Sequence, residues 1–184
     1  MMETTEKIAS LYLRFNGFFL MPHFTVFGLK KEKHVDVLGI RLVGSEEKVD
    51  EYLLSSDEEF VKKLKGNEEN IILWAEVGTG SRRGLFPERK EAYCRRMFGD
   101  TRQLEKVYFD FDKQGEELEL IDEILVVPGG RCRRIILERF SQMDSEPIRN
   151  LLDEMTKTGS WRWSEEFLAD LLYLRKLGFL KKKV

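Results

Sequence analysis

Apolar residues Ile8, Leu11, Tyr12 and Phe15 recur at the three-to-four spacing of an amphipathic helix, which Thr4 or Thr5 can cap and Gly17 can stop. Residues 18–29 then lead through Pro22 into the β-rich run His23-Phe24-Thr25-Val26-Phe27. The polar turn Lys30-Lys31-Glu32-Lys33 joins that run to His34-Val35-Asp36-Val37-Leu38-Gly39-Ile40, so a hairpin is predicted. A third strand is predicted at Ile71-Ile72-Leu73-Trp74-Ala75-Glu76-Val77-Gly78. The last two runs are each interrupted by one carboxylate, Asp36 and Glu76.

Between them, Ser45 can cap a second helix extending to about Lys65, with Val49, Leu53, Phe60, Val61 and Leu64 as its apolar stripe and Ser55-Ser56-Asp57 as a break. Residues 45–69 therefore read as a helical insertion. Beyond the loop Gly78-Thr79-Gly80-Ser81, Pro87 stands where a proline opens a helix, which runs to about Phe98 and ends at Gly99. Val107-Tyr108-Phe109-Asp110-Phe111 and residues 118–127 are strand candidates, Pro128-Gly129-Gly130 reads as a turn, and residues 133–140 as a short strand or helix. Residues 146–156 and 164–177 read as helices joined by Gly159-Ser160-Trp161-Arg162-Trp163, with Gly178 capping the second. The expected architecture is an α/β core over residues 1–140 and a C-terminal helical extension over 141–184 packed on that core.

At 184 residues, 42% hydrophobic and 11% aromatic, the chain can bury one sizeable core. No apolar run approaches the ~20 residues that span a bilayer, and Met1-Met2-Glu3-Thr4-Thr5-Glu6 lacks the basic and apolar parts of a signal peptide. A cytoplasmic protein with no membrane partner is expected. Cys94 and Cys132 are too few and too far apart for a disulfide framework or a zinc knuckle and read as reduced thiols. The net charge of -2 conceals two blocks of opposite sign. Acids dominate residues 45–69, whereas Arg82, Arg83, Arg89, Lys90, Arg95, Arg96 and Arg102 follow closely on Glu76. That basic block either holds phosphates or, with Glu88 and Glu91 interleaved, forms a solvated helix face.

A carboxylate buried in a strand needs a partner, and two on neighbouring strands are most simply explained by a shared cation. Alternation puts Glu76 and residue 78 on one face, and Asp36 on an adjacent strand can come within bridging distance of Glu76. Two carboxylates and the Val77 carbonyl make a hard oxygen donor set suited to Mg2+ or Mn2+, cations that activate water and neutralise a scissile phosphate. A lysine two residues after the glutamate would assist the nucleophile. That position is Gly78.

The succession of a helix with Glu6, the helix end Tyr12-Leu13-Arg14-Phe15-Asn16-Gly17-Phe18-Phe19, the strand Val35-Asp36-Val37-Leu38 and the strand Trp74-Ala75-Glu76-Val77 resembles the PD-(D/E)XK nuclease superfamily. Within it, the arrangement is similar to that of archaeal Holliday-junction resolvases and related restriction-type endonucleases. The resemblance covers about residues 3–111. It implies a restriction-endonuclease-like core of helix, mixed β-sheet, helix and strand, acting on DNA with Mg2+ or Mn2+. It also implies that Asp36 and Glu76 bind the metal with Glu6 as the helix carboxylate. Gly78 departs from the pattern. Some members supply the basic group from the following helix, which nominates Lys90 first and Arg89 next, with Arg82 and Arg83 on the preceding loop. Arg82, Arg83 and Arg89 are also the residues expected to meet DNA.

Other readings stand beside this one. Asp36 can accept hydrogen bonds from a neighbouring turn, and Glu76 can end its strand in a surface ion pair with Arg82 or Arg83. Glu6 also reads as a first-turn acid favoured by the helix dipole, and His34 either as a ligand or base or as a satisfied, partly buried histidine. Trp161 and Trp163, with Lys181-Lys182-Lys183, either stack bases or pack in a core. The C-terminal helical pair packs on the core or builds a homodimer. The leading functional expectation is a metal-dependent DNA endonuclease with Lys90 as the migrated basic residue. The alternative is a nuclease-fold module that binds nucleic acid or a protein without turnover.

Overall fold

The computed structural model describes residues 4–26, 33–45, 47–49, 52–54, 56–66, 68–80, 86–98 and 104–143. The elements run α1 (Thr4–Phe15), β1 (Phe19–Val26), β2 (Lys33–Arg41), β3 (Glu47–Val49), β4 (Tyr52–Leu54), α2 (Glu58–Lys63), β5 (Ile71–Gly78), α3 (Glu88–Phe98), β6 (Leu104–Asp110), β7 (Glu119–Ile121), β8 (Ile124–Pro128) and α4 (Gly129–Met143). Six strands form one mixed sheet in the order β1-β2-β5-β6-β8-β7. The β1, β2 and β5 strands pair antiparallel, β6 and β8 continue parallel to β5, and β7 closes the edge antiparallel to β8. The α3 helix provides the crossover that a parallel β5–β6 pair requires. This α/β fold is in line with a restriction-endonuclease-like core.

Alternation along β5 splits the interior into two layers. Ile71, Leu73 and Ala75 join residues of α1, α2 and α4, including Leu11, Tyr12, Phe60 and Ile135, in the larger core. Ile72 and Trp74 face the other way, into a cluster with Leu38, Leu104 and Cys94, with Phe86 and Tyr93 packed against it. The α3 helix thus covers one face of the sheet and α1, α2 and α4 the other. Lys90 and Cys94, one turn apart, are its buried positions. Cys94 and Cys132 are buried free thiols in different clusters.

The predicted α1, the hairpin, β5 and the helix after Pro87 all stand. Three local expectations do not. The stretch after Ser45 forms the antiparallel pair β3–β4, with Val49 opposite Tyr52, and only its end is helical. The Ser55-Ser56-Asp57 break is where that helix begins, because Asp57 caps α2 by accepting the Phe60 N–H. Residues 118–127 are two strands, parted at Asp122 and Glu123, whose φ values of +48° and +64° suit the two central positions of a type I′ turn. Pro128-Gly129-Gly130 is a direct passage from β8 into α4. Its glycines are needed for close approach. A Cβ on Gly129 would lie 2.9 Å from the Phe111 Cα, and one on Gly130 would overlap the Gln114 carbonyl.

The insertion is held to the core by buried polar contacts. Arg41 donates from Nε to the Asn16 carbonyl (2.8 Å), from Nη2 to the Ser45 carbonyl (2.9 Å) and from Nη1 to the Gly66 carbonyl. Asp57 is clasped by Arg131 of α4, Nε to Oδ2 at 2.7 Å and Nη2 to Oδ1 at 2.6 Å, and accepts the Tyr12 hydroxyl at 2.7 Å. The predicted C-terminal helices and the Arg82–Arg83 loop lie outside the described residues. Among the described residues, no helix is long and apolar enough to cross a membrane.

Candidate metal and phosphoryl-transfer site

Glu76 lies on β5 two residues after Trp74, on the face that α3 covers, and is 6% exposed. Its Oε1 accepts the Trp74 indole N–H at 2.7 Å and lies 3.2 Å from the Lys90 ammonium. Lys90 also donates to the His34 carbonyl at 2.5 Å and stands 5.7 Å from the Trp74 ring centroid. The helix that Pro87 opens therefore delivers a buried ammonium to Glu76. Burial first, then the charge of Asp36, raises the Glu76 carboxyl to about 7, against the lowering effects of Trp74 and Lys90.

Asp36 occupies an irregularity in β2. The β2–β5 ladder reaches Val37↔Ala75 and stops one residue short of Asp36 and Glu76. On the other side, Asp36 faces His23, which sits between the Pro22↔Val37 and Phe24↔Val35 pairs with φ +50°. Val37 packs in the α1 core and Val35 in the α3 cluster, so strict alternation fails around Asp36. Where the ladder parts, the Asp36 Oδ2 accepts the Val77 N–H at 2.8 Å. A positive φ in a non-glycine residue costs on the order of 1–2 kcal/mol, and such strain gathers at functional sites.

The carboxylates of Asp36 and Glu76 are close enough for the Asp36 charge to disfavour ionisation of Glu76. Each has one oxygen engaged, and among the described residues no hydrogen-bond donor reaches the Asp36 Oδ1 or the Glu76 Oε2. Mutual repulsion and an open oxygen on each acid fit a shared hard cation such as Mg2+, which keeps several waters and needs only one or two protein carboxylates. Among the described residues, no group of three or more His, Cys, Asp or Glu side chains converges to hold a metal ion. Comparison of the chain with protein-family models, curated proteins and solved structures finds no match.

The other expected residues are distributed as follows. Glu6 approaches His23, with Oε2 3.5 Å from Nε2, and is not gathered into a trio with Asp36 and Glu76. Val77 enters through its N–H, whereas the sequence reading assigned it a carbonyl role. His34 is exposed, hydrogen-bonds Thr25 through Nδ1, and contributes its backbone carbonyl to Lys90. Arg89 is exposed on α3, and Arg82 and Arg83 lie outside the described residues. The Arg95 guanidinium is paired with Glu91, which also binds Lys106, so part of the basic block is neutralised by the interleaved acids. Glu76 is a buried group and not the surface ion-pair member of the alternative reading.

Gly78 has a local cause. It pairs with Asp110, next to the Glu76↔Tyr108 pair, and a Cβ on it would stand 3.1 Å from the Tyr108 hydroxyl. The Tyr108 hydroxyl crowds the space that a side chain at position 78 would enter, while the ring stands at ordinary contact distance.

Proposed function

We propose that this protein is a divalent-metal-dependent phosphodiesterase of the DNA endonuclease type, with Asp36 and Glu76 as the metal-holding acids and Lys90 in place of the lysine absent at Gly78. The observation that carries this reading is the Lys90 ammonium 3.2 Å from Glu76, on the strand beside Asp36. A divalent cation between the two acids supplies charge neutralisation at a phosphate and an activated water. Asp36, fixed by the Val77 N–H, and Glu76, fixed by Trp74, present their other oxygens for that cation. Lys90 adds a positive charge that cannot diffuse away and that α3 holds in place. Exposed Arg89 on the same helix, with Arg82 and Arg83 before it, suits contacts to the DNA backbone.

Purified protein is expected to cut DNA with Mg2+ or Mn2+, to be silent in EDTA, and to lose cleavage in Asp36→Ala and in Glu76→Ala. Cleavage that survives both substitutions rejects the assignment. A second reading is a nuclease-fold module that binds nucleic acid or a protein partner without turnover. The doubly engaged Glu76 Oε1 and the bare Gly78 favour it. Salt-sensitive DNA binding with no cleavage at any metal concentration selects that reading over the first.

A further inference from the structure

We infer that Trp74 is a positioning residue that sets the geometry of both Glu76 and Lys90, an inference resting on the metal-dependent reading of the Asp36–Glu76 pair. Trp74 is fully buried, and a buried indole N–H requires an acceptor. Its acceptor is the Glu76 Oε1 at 2.7 Å, a short charge-assisted bond from two residues earlier on the same face of β5. The indole is itself held by Phe86, packed edge-on with centroids 4.9 Å apart. The Lys90 ammonium, 5.7 Å from the ring centroid, lies within cation–π range.

One side chain therefore takes the oxygen of Glu76 that faces Lys90, and it carries Lys90 on its ring. Oε2 is left as the oxygen that would be available to a cation. A phenylalanine would fill most of the same space and keep a ring for Lys90, but it would leave Oε1 with one donor and the carboxylate able to rotate. Packing alone does not require an indole. Leu73 fills the opposite face of the same strand with no polar atom.

The test uses the full chain and five proteins: wild type, Trp74→Phe, Phe86→Leu, Lys90→Met and the double variant Trp74→Phe/Lys90→Met. Mn2+ affinity is read by calorimetric titration, and kcat and KM on duplex DNA at saturating Mn2+. Loss of a hydrogen bond to a charged group predicts that Trp74→Phe weakens Mn2+ binding and lowers kcat by about tenfold each, with KM unchanged. Phe86→Leu, which loosens the seat of the indole but keeps its N–H, lowers both by less than Trp74→Phe does. The double variant binds Mn2+ more weakly than Lys90→Met alone, because it leaves the Glu76 Oε1 with neither of its two donors.

Trp74→Phe within about twofold of wild type in both measurements, or a double variant no worse than Lys90→Met alone, overturns the inference while wild-type cleavage keeps the functional reading. Wild type that binds Mn2+ but does not cut removes the reading, and Trp74 is then judged on Mn2+ affinity alone. Wild type that does neither overturns both. Should Trp74→Phe not fold, benzothienylalanine at position 74 replaces the N–H by sulfur at nearly constant volume and is scored by the same criteria.

Discussion

Arg131→Ala is expected to lower the free energy of unfolding by about 3–5 kcal/mol, the cost of leaving one member of a buried ion pair without its partner. Asp57 is 5% exposed and Arg131 6% exposed, so neither charge can recover its hydration by a small side-chain movement. Burial by itself would raise the Asp57 carboxyl. The hydrogen bonds from Arg131 and Tyr12 overcome that and hold it below the ordinary aspartate value. Burial and the Asp57 charge push the Tyr12 hydroxyl well above its ordinary range, so it stays a neutral donor. Removing Arg131 therefore strands an anion among Tyr12, Phe60 and Cys132. It also unties α4 from the insertion, where Arg131 further binds Glu59 at 2.9 Å, and from the segment before β7, where it donates to the Glu116 carbonyl at 2.8 Å. Asp57→Asn/Arg131→Met keeps the α2 cap and fills the volume with no charge, so it is expected to cost much less than the sum of its single variants. Urea denaturation of wild type, Arg131→Ala, the double variant and its two single variants measures this. A loss below about 1 kcal/mol for Arg131→Ala would show a pair screened like a surface bridge.

Nothing local announces that network. Tyr12 reads as one of the apolar positions of α1, Asp57 as part of a break within a helix, and Arg131 carries no reading of its own. Arg131 and Asp57 are 74 positions apart, and only the packing of α4 beside α1 brings them together. The same limit explains the misread insertion. The apolar positions Val49 and Leu53 are compatible with helical spacing, but three-residue strands are too short to show a period of two. Asp122-Glu123 carries none of the glycine or asparagine that signals a type I′ turn, and Gly129-Gly130 looks like a turn because close approach and turning ask for the same residue.

The candidate site was far more legible. A carboxylate in an apolar strand is a local anomaly that survives any topology, and it nominated Asp36 and Glu76. Pro87 marked the helix that carries Lys90, and the resemblance to the nuclease superfamily nominated Lys90 on it. Three contributions stayed hidden. The His23 kink appears only as a backbone angle, and the Val77 N–H is revealed only where the ladder parts. Trp74 was absorbed into the apolar run, although its position two residues before Glu76 on one strand face was a signal within reach. An indole N–H at that spacing is a ready donor to the acid.

Glu76 predicts an uncommon pH dependence. Its carboxyl is raised from 4.5 to about 7, so between these values the folded protein holds a proton that the unfolded chain has released. Stability from this group is full below about pH 4.5 and is lost as the pH rises through 7, a change of about 3 kcal/mol by pH 8 at ~1.4 kcal/mol per unit. Asp57 acts in the opposite sense, its contribution being lost only on acidification below the ordinary aspartate range. In EDTA, wild-type protein is therefore expected to lose about 3 kcal/mol of unfolding free energy from pH 5 to pH 8, whereas Glu76→Gln, with nothing to ionise at that position, loses little over the same window. Added Mg2+ or Mn2+ competes with the proton for the same carboxylate. It should raise the melting temperature of wild type more at pH 8 than at pH 5, and do so only weakly in Glu76→Gln. Equal slopes for the two proteins in EDTA would place the Glu76 charge in contact with solvent. Parallel slopes in the metal series would separate the acid from any cation. A steep wild-type slope that metal flattens would instead mean that the burial which makes Glu76 costly to ionise in the empty fold is what makes a cation stabilising there.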